Sequence, residues 1–195
     1  MAELIDGRAM ARRLSDGTAA GVEDLKARGV EPTLAVVLVG SDPASEVYVG
    51  RKVAECARVG IRSIEHRLQA ETAQADLLAL IEALNADATV HGILVQLPLP
   101  RGLDAGAVLD RIAPGKDVDG FHPVNVGRLS TGTGGLVPCT PLGVMMLLDS
   151  VIDDYRGLEA VVIGKSNIVG KPVAMLLLER EATVTVTHIE TRNLE

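Results

Sequence analysis

Two short, almost purely apolar runs constrain this chain more than any other feature. They are Thr33–Val39 (TLAVVLV) and residues 90–97 (VHGILVQL). Both are rich in β-branched residues, too short for core helices, and bounded by turn formers. Such runs read as strands buried on both faces, the pattern of a parallel sheet. Helical periods alternate with them. Residues 9–28 form a polar, alanine-rich helix stopped at Gly29. A second helix starts at the Gly40-Ser41-Asp42-Pro43 turn and runs to about Val59, where Gly60 caps it. A weaker strand occupies 61–68. Residues 72–85 form a helix with Leu77, Leu78, Ile81 and Leu84 on one face. Pro98 and Pro100 end the strand at 90–97. The fold class is therefore α/β, assembled from βαβ units.

Beyond residue 112 the pattern changes. Residues 113–138 are dense in glycine and proline, which predicts a functional loop or a linker. A helix then runs from Pro141 to about Ile152, a strand over 159–164, a helix over 170–180 and a strand over 182–187. At roughly 150 residues per domain, 195 residues make between one and two domains. We place them at 1–137 and 138–195. A doubly wound nucleotide fold needs more strands than the second unit supplies, so that unit reads as incomplete.

Charge and composition exclude several classes of function. The net charge is −7, against the basic surface of a phosphate-backbone binder. One Phe, two Tyr and no Trp leave little for base stacking. No apolar run reaches the 18 residues of a membrane-spanning helix, and the first residues lack the apolar core of a secretory leader. Cys56 and Cys139 form neither a disulfide framework nor a metal-ligand pattern, so a reducing cytoplasm is the expected compartment and no metal is expected.

Four stretches carry chemistry. Gly164-Lys165-Ser166-Asn167-Ile168-Val169-Gly170 follows a strand and opens a helix, as a phosphate-binding turn does. It departs from GxGxxG, with Ser166 in place of the second glycine, and an ordinary βα turn is the alternative reading. Ser45, Tyr48 and Lys52 share one helical face, which is equally the pattern of a partly solvated surface. Cys56 continues that face as packing. A Tyr-x-x-x-Lys pair also marks short-chain dehydrogenases, but there it follows the glycine turn, and here it precedes it by more than a hundred residues. Gln96 stands at a strand end, where α/β sheets present ligand groups, and could equally satisfy a loop backbone. Lys116-Asp117-Val118-Asp119-Gly120 is a turn or a cation site, without the ligand series of an EF-hand. His122, beside Pro123, reads as structural, and no role is assigned to His66 or His91.

In order, SEVYVGRK, GILVQLPLP, PGKDVDGFHPVNVGRL, PCTPLGV and VVIGKSNIVGKPVAMLLL resemble the bifunctional methylenetetrahydrofolate dehydrogenase/cyclohydrolase family. The resemblance runs from the first helix to about His188. It implies an N-terminal folate-binding domain, the first part of a Rossmann-like NAD(P) domain, an active cleft between them, and a homodimer. It also implies oxidation of 5,10-methylenetetrahydrofolate with NADP, then hydrolysis of the 5,10-methenyl product to 10-formyltetrahydrofolate. By motif, Lys52 matches the catalytic lysine and Gln96 the glutamine that orients it. A lysine exchanges protons near neutral pH only where burial or neighbouring cations favour its neutral form, and an amide can orient it without adding charge. Tyr48 matches a tyrosine stacking on the aminobenzoate ring, and Asp119 an aspartate accepting pterin hydrogen bonds. Ser45 and Pro98 line the same cleft. Gly164, Lys165, Ser166 and Gly170 match the cofactor turn.

Two departures bear on the cofactor. Lys165 replaces the usual arginine, keeping charge for a 2′-phosphate but losing the bidentate fork. Glu190, 26 residues past Gly164, approximates the acid of NAD-binding folds, so NAD is the alternative to NADP. The competing functional readings are a catalytically impaired folate-binding or dimerisation fragment, and another two-domain NAD(P) oxidoreductase.

Overall fold

The computed structural model describes residues 4–192. They divide into two compact units, one of residues 8–118 and one of 4–7 with 119–192.

The first unit is a three-stranded parallel sheet with helices on both faces. Its strands are β1 (Thr33–Val39), β2 (Arg62–Leu68) and β3 (Gly92–Val95), in the spatial order β2-β1-β3. Helix α1 (Gly7–Ala27) precedes β1, and only Val22 of it is buried. β1 is central, and its alternate residues feed two cores. Val36 and Leu38 pack with Val49 of α2 (Pro43–Val59) and with Leu94. Ala35, Val37 and Val39 pack with Leu77, Ile81 and Leu84 of α3 (Gln74–Ala86), and with Val108 of α4 (Ala105–Arg111). This two-sided burial is why the run TLAVVLV shows no polar alternation.

Local chemistry sets the helix ends. Asp42 caps α2, accepting the Ser45 N–H at 2.8 Å, with Pro43 in its first turn. Gly60 closes α2 in the left-handed conformation.

The second unit holds two parallel strands, β4 (Glu159–Ile163) and β5 (Thr183–Thr187), joined through α7 (Gly170–Glu179). Helix α6 (Cys139–Asp149) and Leu129 of α5 (Pro123–Thr131) pack with α7 against Ala160, Val162 and Val184.

Two elements depart from the sequence reading. Helix α4 was not expected, and the turn-rich stretch 113–138 contains α5 rather than a continuous loop. Its turn formers serve as helix punctuation. The His122 ring accepts the Val124 N–H at 3.0 Å, Pro123 opens the helix, and Gly132 closes it. By compactness the chain divides at 118/119, and α5 packs into the α6–α7 core.

Candidate functional site

The strand order creates the site. β1 leads outward to β2, and β3 returns to the opposite side of β1. The carboxyl ends of β1 and β3 thus form a topological switch point, where open α/β sheets bind ligands. Gln96 sits one residue beyond β3, and its backbone N–H donates to the Val37 carbonyl at 2.9 Å. α2 begins just beyond the end of β1, so its third turn brings Lys52 to the same place.

There the Lys52 Nζ donates to Gln96 Oε1 at 3.2 Å, across 44 positions of sequence. The Gln96 amide nitrogen donates to the Leu97 carbonyl at 2.7 Å. That second bond fixes which end of the amide faces the lysine. Nζ is therefore held by a neutral oxygen, and both side chains are half-buried.

Tyr48 lies one turn before Lys52 on the same helix and is 57% exposed. Its ring is available as a stacking surface. Ser45 is buried at 3% exposure. Hydrogen bonds from the Ser45 backbone, then its side chain, hold the Asp42 carboxyl below its usual range. Pro98 is exposed and follows the cis peptide Leu97–Pro98. Cys56 is buried, and that burial pushes its thiol pKa up, which suits packing rather than nucleophilic chemistry. Asp119, half-buried, opens the second unit. His91 Nδ1 accepts the Thr33 N–H at 3.2 Å at the opposite end of the sheet.

The glycine turn is arranged differently from the sequence expectation. Ser166 Oγ accepts the N–H groups of Val169 and Gly170 at 3.1 and 3.2 Å, and its carbonyl accepts Lys171 N–H at 3.0 Å. Pro172 has no N–H, and Val173 N–H goes to Val169 O. The start of α7 is thus capped from within the chain rather than left open to an anion. The open donors lie one step earlier. The N–H groups of Lys165, Ser166, Asn167 and Ile168 meet no acceptor among the described residues. Successive open amides are the donors an anion needs, and the Lys165 side chain beside them is exposed. Gly164 has φ 122°, and a Cβ on Gly170 would run into the Gly164 carbonyl. The turn therefore fits a nucleotide phosphate through loop amides and a lysine.

A cavity of about 570 Å³ lies along β4, α6 and α7, with apolar walls from Val144, Leu148, Ala160 and Val162. Ser166 and Gly170 also border it. Among the described residues no group of three or more His, Cys, Asp or Glu is placed to hold a metal ion. Among the described residues no helix is long and apolar enough to cross a membrane.

Sequence reasoning missed Lys116 and Asn85. Lys116 Nζ donates to the carbonyls of Leu84, Asn85 and Asp87, and Asn85 ties down Arg111 and Ala113. The signal for Lys116 was its place in KDVDG; Asn85 gave none.

The tetrahydrofolate dehydrogenase/cyclohydrolase catalytic domain matches residues 5–119, and the NAD(P)-binding domain of the same name matches residues 138–195. Bifunctional protein FolD 2 of Rhizorhabdus wittichii is 75% identical over 194 residues, covering 99% of this chain and 65% of the relative. The crystal structure of the bifunctional enzyme FolD from Campylobacter jejuni superposes with a TM-score of 0.96 at 49% identity, over 98% of this chain and 68% of that one. The Trypanosoma brucei methylenetetrahydrofolate dehydrogenase-cyclohydrolase, complexed with NADP and an inhibitor, gives a TM-score of 0.92 at 39% identity, over 98% and 66%. The chain thus spans about 65% of the length of the R. wittichii relative.

Proposed function

The chain belongs to the tetrahydrofolate dehydrogenase/cyclohydrolase family, and from that premise we propose that it acts in one-carbon folate chemistry. The reactions are oxidation of 5,10-methylenetetrahydrofolate to the 5,10-methenyl form with NADP, and hydrolysis of that product to 10-formyltetrahydrofolate. The observation that carries this reading is the Lys52–Gln96 pair at the sheet's switch point.

Hydrolysis adds water to the amidinium carbon of the methenyl bridge. A proton leaves that water, and N5 takes one up as its bond to the carbon breaks. Lys52 Nζ is the group assigned to accept and return this proton. Gln96 holds Nζ through its oxygen and adds no charge. Tyr48 supports the folate's aminobenzoate ring by stacking, and Asp119 accepts the pterin's donors. Ser45, buried at the start of α2, and Pro98, exposed beyond β3, are the residues assigned to line the folate cleft.

NADP, when bound, supplies the hydride acceptor. Lys165, Ser166 and the amides up to Ile168 would hold its phosphates, with Gly164 and Gly170 keeping the turn close. NADP is favoured over NAD by the Lys165 charge and by the NADP complex of the T. brucei relative. The folate role belongs to residues 1–137 and the nucleotide role to 138–195. A homodimer in the cytoplasm is what the family resemblance implies.

The decisive experiment adds the chain to 5,10-methenyltetrahydrofolate without nicotinamide and follows loss of its near-ultraviolet absorbance. The expected outcome is hydrolysis above the buffer rate, abolished in Lys52→Met while folate binding persists. Unchanged hydrolysis in Lys52→Met removes the lysine from its role. Folate binding without hydrolysis in the wild type would favour the impaired-fragment reading.

A further inference from the structure

Lys116 and Asn85 form an anchor that the proposed chemistry does not use. All three bonds made by Lys116 Nζ go to backbone carbonyls at the end of α3: Leu84 at 3.0 Å, Asn85 at 2.8 Å and Asp87 at 2.7 Å. A cation is well placed there, at the negative end of a helix whose last carbonyls lack intrahelical partners. The same residue ties two other ways. Its N–H donates to Ala113 O at 2.8 Å, and its carbonyl accepts Ile93 N–H from β3 at 2.7 Å. Asn85 holds the approach, donating to Arg111 O at 2.7 Å and accepting Ala113 N–H at 2.8 Å. Asp117 then bridges Ile93 as a one-residue parallel extension of the sheet. Val118 packs into the core that contains Val49 and Val53 of α2, the residues flanking Lys52. Asp119 follows directly.

We propose that Lys116, supported by Asn85, is a positioning residue for folate. It pins the 111–118 strap to α3 and β3, and so fixes where the strap delivers Asp119. This rests on the folate reading above. The cation on three carbonyls secures the end of α3, and the strap it holds runs directly on to that carboxylate. Its effect falls on affinity more than on turnover, because α2 and Lys52 keep their own supports in the Asp42 cap and the Gln96 contact.

The test measures methenyltetrahydrofolate hydrolysis and folate binding for wild type, Lys116→Met, Lys116→Arg and Asn85→Ala, together with their thermal unfolding. Lys116→Met is expected to raise KM and Kd by at least about tenfold with kcat nearly unchanged, the signature of lost positioning for binding. Lys116→Arg restores most of the affinity, because it keeps charge and donors. Asn85→Ala shows a smaller rise in the same direction, and decides the matter if Lys116→Met does not fold. A fall in melting temperature with KM unchanged below the transition would make the anchor structural only and overturn the proposal. A wild-type chain that neither binds nor hydrolyses folate would sink the folate reading itself, and the positioning role with it.

Discussion

The two sheets are built from similar strands and meet different surroundings. β1 (TLAVVLV) and β4 (EAVVI), the latter after its opening Glu159, carry apolar residues on both sides, and both pair in parallel. In the first unit Val36 and Val37, on opposite faces of β1, are 1% and 0% exposed. In the second, Val162 packs against α6 and α7, whereas Val161 and Ile163 on the other face are 64% and 75% exposed. A parallel strand apolar on both sides is complete only when both sides are covered. The lesson is that strand composition reports the surroundings a strand suits, and burial reports the surroundings it has. The first unit's switch-point pair therefore rests on a closed core. Among the described residues, which belong to a chain spanning about 65% of the R. wittichii relative, the second unit's glycine turn rests on a sheet covered on one face.

The largest expected effect tests the closed sheet. Ile93 is fully buried in the core between β1, β3, α3 and α4. Ile93→Ala should cost about 2–5 kcal/mol in urea unfolding, through lost transfer energy and a cavity that rigid neighbours cannot fill. Hydrogen exchange should then speed up at the β1 and β3 amides and leave β4 and β5 unchanged. Equal acceleration in both sheets would show that the two units unfold together and would erase the contrast between them.

Gly170→Ala comes next and probes the turn of the second unit. The added methyl meets the Gly164 carbonyl, so the turn must open at a cost of about 1–3 kcal/mol. Nucleotide binding, followed by titration calorimetry with NADP, should fall further than the melting temperature does. Full binding by Gly170→Ala would show that strand and helix need not approach closely for the loop amides to work.

Legibility in the sequence follows the same division. β1, α2 and β3 were readable because their signals are local: a two-sided apolar run, an Asp-Pro start, a terminal glycine. α5 was not, because its cap is a histidine ring and its punctuation is the same glycine and proline that mark loops. The meeting of Lys52 with Gln96 depends on the order β2-β1-β3, which no local pattern encodes, so the family resemblance alone pointed to it. The capping of α7 by Ser166 was also beyond reach. The motif showed a serine in a glycine's place but not that its hydroxyl would take the helix's own amides.

A smaller effect concerns the tie between α6 and α7. Arg180 grips Asp149 with two bonds, at 3.2 and 2.9 Å, and Tyr155 donates to the same carboxylate at 2.8 Å. Burial raises the Asp149 pKa, but the bonds from Arg180 and Tyr155 outweigh it and hold the carboxyl below its usual range. A depressed acid contributes stability above its unfolded pKa of about 3.9, and loses it as pH falls through the folded value. Tyr155 works in the opposite direction. Burial, then the bond to Asp149, pushes its pKa up to about 12. Its contribution is complete below the unfolded value of about 10 and is lost as pH rises through the folded one. The second unit should therefore weaken at both extremes. Because both partners are partly solvated, Asp149→Asn should cost no more than about 1 kcal/mol at neutral pH and should flatten the acid limb. An unchanged acid limb in a pH series of thermal melts would remove Asp149 from it.

The smallest expected effect is the most discriminating for the comparison between the sheets. Ile163→Thr keeps a β-branched side chain in β4 and removes apolar surface that is already three-quarters in water. In a sheet covered on both faces the same change would bury a hydroxyl without a partner and cost far more. On the open face of β4 it should shift stability by less than about 0.5 kcal/mol. Binding of a hydrophobic dye should drop, because adjacent exposed apolar side chains, here Val161 and Ile163, are what such a dye detects. Val37→Thr provides the matched change on β1, at a position with no exposure. If Ile163→Thr proves as costly as Val37→Thr, the face is covered in solution and the contrast between the two sheets disappears. If it is neutral and Val37→Thr is not, one strand composition has been measured in two surroundings, and the difference in stability belongs to the cover rather than to the strand.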